Sequence, residues 1–349
     1  MKDISSMYQS EIKELTDAMG QPSYRAGQVF DGVIRGAGDF SEITNIPKEL
    51  RARLSEETYI APVTVENKLV SRDGTTKYLF RLRDGELIES VILRYKHGNT
   101  ICVSSQAGCA MGCRFCASTV GGKKRDLTAG EILRQVYEAS RDLGERISNV
   151  VMMGIGEPLD NFDNTLRFIR LAGEKGGLSI GARHISVSTC GLVPRIDELS
   201  GYGLGVTLSV SLHAPRDEIR SLIMPINKRY GIDCLIKSCH NYIKKTGRRI
   251  SFEYAMIDGV NDSMECADEL AQLLRGMICH VNLIPINSAR DGFRPSPRRT
   301  VEAFVSRLSS RGVNVTVRRT LGSDIQGSCG QLRLGAKGEK RMHNGGDLI

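Results

Sequence analysis

The chain has 349 residues, 40% hydrophobic and 25% charged, the composition of a globular protein long enough for one large core and an appendage. The opening "MKDISSMYQS" carries no apolar leader, no stretch approaches transmembrane length, and ten cysteines without a secretory signal suit a reducing compartment, where thiols serve metals or catalysis. The expectation is a cytoplasmic protein with no membrane contact. The formal charge of +8 is uneven, because residues 281–349 hold twelve Lys/Arg against five Asp/Glu, a bias that fits either a polyanion partner or a solvated basic face.

Residues 1–58 read as a small helical domain. Met7, Ile12, Leu15 and Met19 recur at helical spacing, as do Val29, Phe30, Val33 and Ile34, and "FSEITNIPKEL" offers a Ser cap and a Pro before a third helix. Residues 59–98 change period. Apolar and polar residues alternate there and are punctuated twice by Arg-Asp-Gly, at Arg72–Gly74 and Arg83–Gly85, which predicts an antiparallel β-meander. Over residues 99–320, seven short apolar segments from "TICVSSQ" to "VNVTVRR" alternate with helix-length stretches such as "TAGEILRQVYEASRDLG". That alternation predicts parallel βα units, too few for an eight-fold barrel, hence an α/β partial barrel or open sheet. Residues 321–349 form a glycine-rich loop, "GSDIQGSCG", followed by a basic tail.

In such folds functional groups sit just beyond the carboxyl ends of the strands. The first predicted strand is followed by "CAMGCRFC", which spaces Cys109, Cys113 and Cys116 as C-x3-C-x2-C. Three thiols leave a metal centre one ligand short. Either a partner such as His97 or Cys102 completes a zinc site, or the open position is where chemistry happens. The second strand runs into "GIGEP", whose glycines would let a ligand approach the backbone and whose Glu157 offers a carboxylate. Ser188, Ser211 with Leu212 and His213, and Asn287 lie at the ends of later strands. Singly these could be caps, turn residues or a packed histidine; together they gather on one rim.

The cysteine spacing, with Phe115 before the last cysteine, resembles the radical S-adenosylmethionine (SAM) superfamily. "CVSSQAGCAMGCRFCAS", "MPINKRYG", "ISFEYAMIDGVNDS", "LIPINS" and "GSDIQGSCGQL" narrow the resemblance to the RlmN family of RNA adenine methyltransferases, over nearly the whole chain. The resemblance implies a partial (βα)6-type barrel in which Cys109, Cys113 and Cys116 hold a [4Fe–4S] cluster. It implies that Phe115, Gly156, Glu157, Ser188, Ser211, Leu212, His213 and Asn287 bind SAM. The implied reaction is methylation at C2 of adenosine, consuming two SAM per turnover. Cys329 would carry the methyl group as S-methylcysteine, and Cys102 would resolve the covalent RNA adduct by forming a disulfide with Cys329. Glu89, thirteen residues before Cys102, would accept the C2 proton, although a strand-end glutamate is often solvated surface. The implied partners are 23S rRNA, tRNA and an electron donor such as flavodoxin or ferredoxin, with the enzyme a monomer. The Cfr-type sister enzymes, which methylate C8, stand nearest. A zinc-stabilised RNA-binding protein and a glycyl-radical activating enzyme are more distant alternatives.

Overall fold

The computed structural model describes residues 1–96, 98–286 and 292–325. A short strand β1 (Lys2–Asp3) pairs in parallel with β2 (Thr58–Tyr59), bringing the two ends of the helical segment together. Between them lie α1 (Gln9–Ala18), α2 (Tyr24–Ile34) and α3 (Lys48–Glu57). The helical periodicity holds: Ile12 is buried on α1, and Val29, Phe30, Val33 and Ile34 form the inner face of α2. Ser41 does not cap the third helix. It lies in a single 3-10 turn whose cap is the Asp39 carboxylate, and α3 begins directly after Pro47, where a fixed φ and a missing N–H cost nothing.

Strands β3 (Val63–Val70), β4 (Thr76–Leu82) and β5 (Leu87–Tyr95) form the meander. Both Asp-Gly turns are present, with Gly74 and Gly85 each at φ +83°, the left-handed conformation that closes such hairpins. Next comes β6 (Gly98–Cys102), antiparallel to β5. A small antiparallel pair, β7 (Gln106–Ala107) with β8 (Arg125–Asp126), follows. Parallel βα units then alternate in order: α4 (Ala129–Leu143), β9 (Ile147–Met152), α5 (Phe162–Ala172), β10 (Ile185–Thr189), α6 (Val193–Leu199), β11 (Thr207–Ser211), α7 (Asp217–Ile223), α8 (Ile232–Thr246), β12 (Ile250–Met256), α9 (Met264–Leu273), β13 (Cys279–Pro285), α10 (Arg298–Ser310) and β14 (Val315–Val317).

All seven segments read from the sequence as strands are strands. With the three meander strands they make one sheet of order β14-β13-β12-β11-β10-β9-β6-β5-β4-β3, parallel from β6 to β14. The order never reverses, so right-handed crossovers place every connecting helix on the same face. That is the winding of a barrel rather than of a doubly wound sheet, and six helical crossovers make it the partial (βα)6 type. One face of the strands, including Ile101, Val150, Val187, Val210, Phe252 and Leu283, is buried in a single core that runs on into the N-terminal helices.

The helical segment is bolted to α4. Arg134 donates from Nη1 to the carbonyls of Gly36 and Ala37 (2.8 Å each), and Arg141 donates to Gly36 O (2.7 Å), which satisfies carbonyls beyond the end of α2. At its other end the described chain returns to the first hairpin of the sheet. Ser71 Oγ donates to Asp324 (2.5 Å) and Gly322 N–H donates to Asp73 (2.9 Å). Among the described residues, no helix is long and apolar enough to cross a membrane.

Candidate active site

The cysteine loop is an excursion closed at its neck. It leaves through β7 and returns through β8, and Gln106 at the neck is held from three sides. Its Nε2 donates to Asp126 and Asp160 (2.8 Å each), while its Oε1 accepts the Glu157 N–H (2.9 Å). Inside the loop Gly108 and Gly112 adopt φ +78° and +72°, reversing the chain so that Cys109, Cys113 and Cys116 turn toward one cavity of about 150 Å3. Cys109 and Cys113 are buried and Cys116 is half-buried. Burial pushes the Cys109 thiol up to about 12 and the Cys113 thiol higher still. Burial thus favours the neutral thiols, and a bound metal ion would favour the thiolates.

The opposite wall is built from strand ends. Glu157, Ser188, Ser211, His213 and Glu253 supply the polar groups, set among Met153, Met224, Ile284 and Ile286. A mostly apolar chamber with a few convergent polar groups is the usual form of a cofactor pocket. Among the described residues, no three His, Cys, Asp or Glu side chains converge on a single metal-ion position. The three cysteines surround a chamber instead, as a multi-iron cluster with one thiolate per iron requires.

The glycines of "GIGEP" line the cavity and also have a packing reason. A Cβ on Gly154 would meet Val103 O at 2.6 Å, and one on Gly156 (φ +110°) would meet Gln106 Cβ and Ser105 Oγ at 2.7 Å. Gly154 thus admits the backbone of Val103 and Ser104, and Gly156 the side chains of Ser105 and Gln106; Gly154 N–H donates to Val103 O, and Ile155 O accepts the Ser105 and Gln106 N–H groups, at 2.9–3.1 Å. Glu157 is buried and its carboxylate accepts the N–H groups of Leu159 (3.0 Å) and Cys190 (2.7 Å), so it fastens the end of β9 to that of β10. Burial raises its pKa against those two bonds.

Among the described residues, His213 is one of two non-glycine residues at positive φ (+57°), an uncommon conformation that carries strain. Its Nδ1 accepts the Ala255 N–H at 2.9 Å, leaving the proton on Nε2. Burial, and secondarily the charge of Arg220, depress its pKa to about 3. It is therefore a neutral imidazole whose tautomer is set by β12. Phe115 meets the ring edge-on at 5.0 Å, which ties the cysteine loop to the end of β11. Leu212 contributes no side chain to the cavity. It is buried in the core, its N–H donates to Glu253 O (3.1 Å), and its carbonyl accepts Arg220 Nε (3.0 Å).

Glu89 and Cys102 come together on one sheet face. Val91 is paired with Cys102 in the β5–β6 register, so Glu89, two residues along β5, is a diagonal neighbour of Cys102. Glu89 is not solvated surface. It is 2% exposed, and its carboxylate lies 3.0 Å from the ammonium of Lys77, itself 5% exposed. Asn287, Cys329 and His97 lie outside the described residues.

Three residues that organise the site escaped the sequence reading. Glu253 lines the cavity and accepts from Ser251 (3.1 Å) and Asn282 (2.7 Å). Asn261, fully buried, donates to His213 O (2.7 Å) and Ala255 O (2.6 Å) and accepts the Ile257 N–H (2.8 Å), holding the strained turn at His213. Arg220 clamps the ends of β10 and β11 through the carbonyls of Cys190 and Ser211. A charge inside each of two apolar runs, "ISFEYAM" and "IRSLIM", was the available signal.

A three-cysteine loop after the first strand of a singly wound partial barrel, opposite strand-end serines and a histidine, defines a radical SAM enzyme. The Radical SAM superfamily model matches residues 103–274, and the model of the ribosomal RNA large subunit methyltransferase N-terminal domain matches residues 2–60. A probable dual-specificity RNA methyltransferase RlmN of Alkaliphilus oremlandii is 50% identical over 95% of this chain and 97% of its own. The protein of the same name from Clostridium tetani is 52% identical over 90% of each. The crystal structure of a radical SAM methyltransferase from Sphaerobacter thermophilus superimposes with a TM-score of 0.91 at 45% identity, covering 95% of this chain and 99% of that one. The chain belongs to the RlmN family of dual-specificity RNA methyltransferases, a radical SAM family that uses a [4Fe–4S] cluster and SAM.

Proposed function

We propose that this enzyme places a methyl group on C2 of adenosine, in 23S rRNA at the peptidyl-transferase centre and in tRNA just 3′ of the anticodon. The observation that carries the reading is the joint lining of one cavity by the cysteine loop and the strand ends, in a chain whose relatives of matching length are RNA methyltransferases. When bound, the cluster and SAM supply the methyl group and the one-electron chemistry that substitution at an electron-poor ring carbon needs.

The chain's own tasks then divide by place. Cys109, Cys113 and Cys116 hold the cluster, and Gly156, Glu157, Ser188, Ser211, the Leu212 backbone, His213 and Asn287 orient SAM, with Phe115 fixing the His213 ring. His213, neutral with its proton on Nε2, serves as a hydrogen-bond donor and not as a charged group. Cys329 carries the methyl group. Cys102 attacks the Cys329 sulfur to release the methylated base, and one disulfide is left for each product. Glu89, beside Cys102 on the sheet and paired with Lys77, takes the C2 proton. Residues 1–58 form an accessory RNA-binding domain beside the meander of 59–98 and the barrel of 99–320, and residues 321–349 bring the reactive cysteine and a basic tail. The monomer works in the cytoplasm with flavodoxin or ferredoxin as reductant.

Cys329→Ala, purified anaerobically and assayed with SAM, reductant and rRNA, tests this. The expected result is a retained cluster, no 2-methyladenosine and no S-methylcysteine in the protein. Methylation that survives the substitution refutes the methyl-carrier role, and 8-methyladenosine from the wild-type enzyme would move the reading to C8.

A further inference from the structure

Among the described residues, Arg220 is the largest fully buried side chain, at 0% exposure. Its hydrogen bonds all go to neutral oxygens: Nε to Leu212 O (3.0 Å), Nη1 to Asn227 Oδ1 (2.9 Å) and Tyr230 O (3.5 Å), Nη2 to Cys190 O (2.7 Å) and Ser211 O (3.1 Å). Among the described residues it forms no ion pair with a carboxylate. Asp217, whose charge acts on Arg220 from a distance, is hydrogen-bonded to it only through Asn227, whose Nδ2 donates to Asp217 Oδ1 at 2.9 Å. A guanidinium taken out of water without an adjacent counter-ion is among the costliest placements in a protein. Neutral oxygens satisfy its geometry, and the Asp217 carboxylate stays one layer away, so among the described residues no anion touches the guanidinium.

The compensation lies on the side of the cysteine loop. Arg220 binds the Cys190 carbonyl, and Cys190 packs with Cys113, Ile223 and Met224 in one small cluster. The Arg114 N–H donates to Ile223 O at 3.0 Å, so α7, which carries Arg220, is bonded directly to the loop. Three cysteines that have exchanged protons for iron form an anionic group there, and net charge is one of the factors that sets a cluster's potential.

We propose that Arg220 is the built-in counter-charge of the cluster and raises its reduction potential. Reduction adds one electron to an already anionic group, and a fixed cation held in a low-dielectric interior favours the more negative state. The inference rests on Cys109, Cys113 and Cys116 being the cluster ligands. Arg220 is a positioning and electrostatic residue, since it touches the backbone of the site and not the reacting atoms.

The test is a redox titration of the anaerobically reconstituted full chain, followed by electron paramagnetic resonance, with iron and sulfide measured in parallel. Arg220→Gln should lower the reduced-to-oxidised ratio at a fixed potential at least tenfold, which is about 59 mV for one electron. Arg220→Lys, which keeps the charge, should stay close to wild type. An unchanged midpoint in Arg220→Gln with its iron and sulfide intact overturns the proposal. If that variant does not hold a cluster, the double exchange Asp217→Asn with Asn227→Asp decides. It moves the carboxylate one layer closer to Arg220 with little change of shape, and the midpoint should fall. No shift there overturns the proposal too. Wild-type chain that takes up no iron and sulfide would overturn the ligand assignment first, and this inference with it.

Discussion

Lys77→Met tests whether the buried pair at the meander is energetically what its burial implies. Glu89 and Lys77 are 2% and 5% exposed and 3.0 Å apart. Removing one partner of such a pair typically costs about 3–5 kcal/mol, because the other charge stays in the interior. Unfolding entropy of about 2.1 cal/mol/K per residue, taken over the 349 residues of the chain, turns that into a drop in melting temperature of about 4–7 °C. Scanning calorimetry of the cluster-loaded protein reads it. The double variant Lys77→Met with Glu89→Leu removes both charges and should recover most of the loss, since apolar replacement of a whole buried pair is often neutral or better. The same double variant should make no methylated adenosine, because the proposed proton acceptor is gone. A Lys77→Met protein that melts within 1 °C or so of wild type would refute the energetic argument. Wild-type methylation by the double variant would remove Glu89 from the mechanism.

Cys113→Ala should abolish iron and sulfide uptake, whereas Cys190→Ala, buried in the same small cluster, should retain both; elemental analysis after anaerobic reconstitution separates the two. His213 has a folded-state pKa of about 3 against an ordinary value of 6.5. Between those values the unfolded chain binds a proton that the folded chain refuses, so stability falls as pH drops below about 6.5, by roughly 1.4 kcal/mol per unit from this group alone. Denaturant midpoints for wild type and His213→Asn should therefore diverge in slope between pH 6.5 and 5. Parallel slopes would mean that the ring protonates freely in the native state.

Much of the architecture was legible because its signals are local. Asp-Gly turns, period-two alternation and seven apolar segments separated by helix-length spacers specify the meander and the parallel sheet without any knowledge of tertiary contacts. The rim residues were legible because polar groups at the ends of apolar strands have few other reasons to be there. The supports were not, because their partners are distant in sequence. Arg220 binds carbonyls up to thirty residues away, Asn261 binds a turn forty-eight residues back, and the partner of Glu89 is set by strand register. The glycines of "GIGEP" show the same limit from the other side. Their small size was visible in the sequence, but the backbone that presses against Gly154 comes from just past the end of β6, about fifty residues earlier.

The unreversed strand order also bears on how the molecule is made. From β3 to β14 each strand of the main sheet lies beside the one that precedes it in that sheet, so during synthesis every new βα unit finds its docking edge already formed. Folding can advance from the N-terminus without waiting for distant segments, which keeps loop-closure costs small at each step. The exception comes last: Asp324 and Gly322 fasten to the hairpin at Ser71 and Asp73, across about 250 residues. That long-range tie can form only after residues 322–324 have been made, so the segment leading to Cys329 is anchored after the strands of the barrel exist.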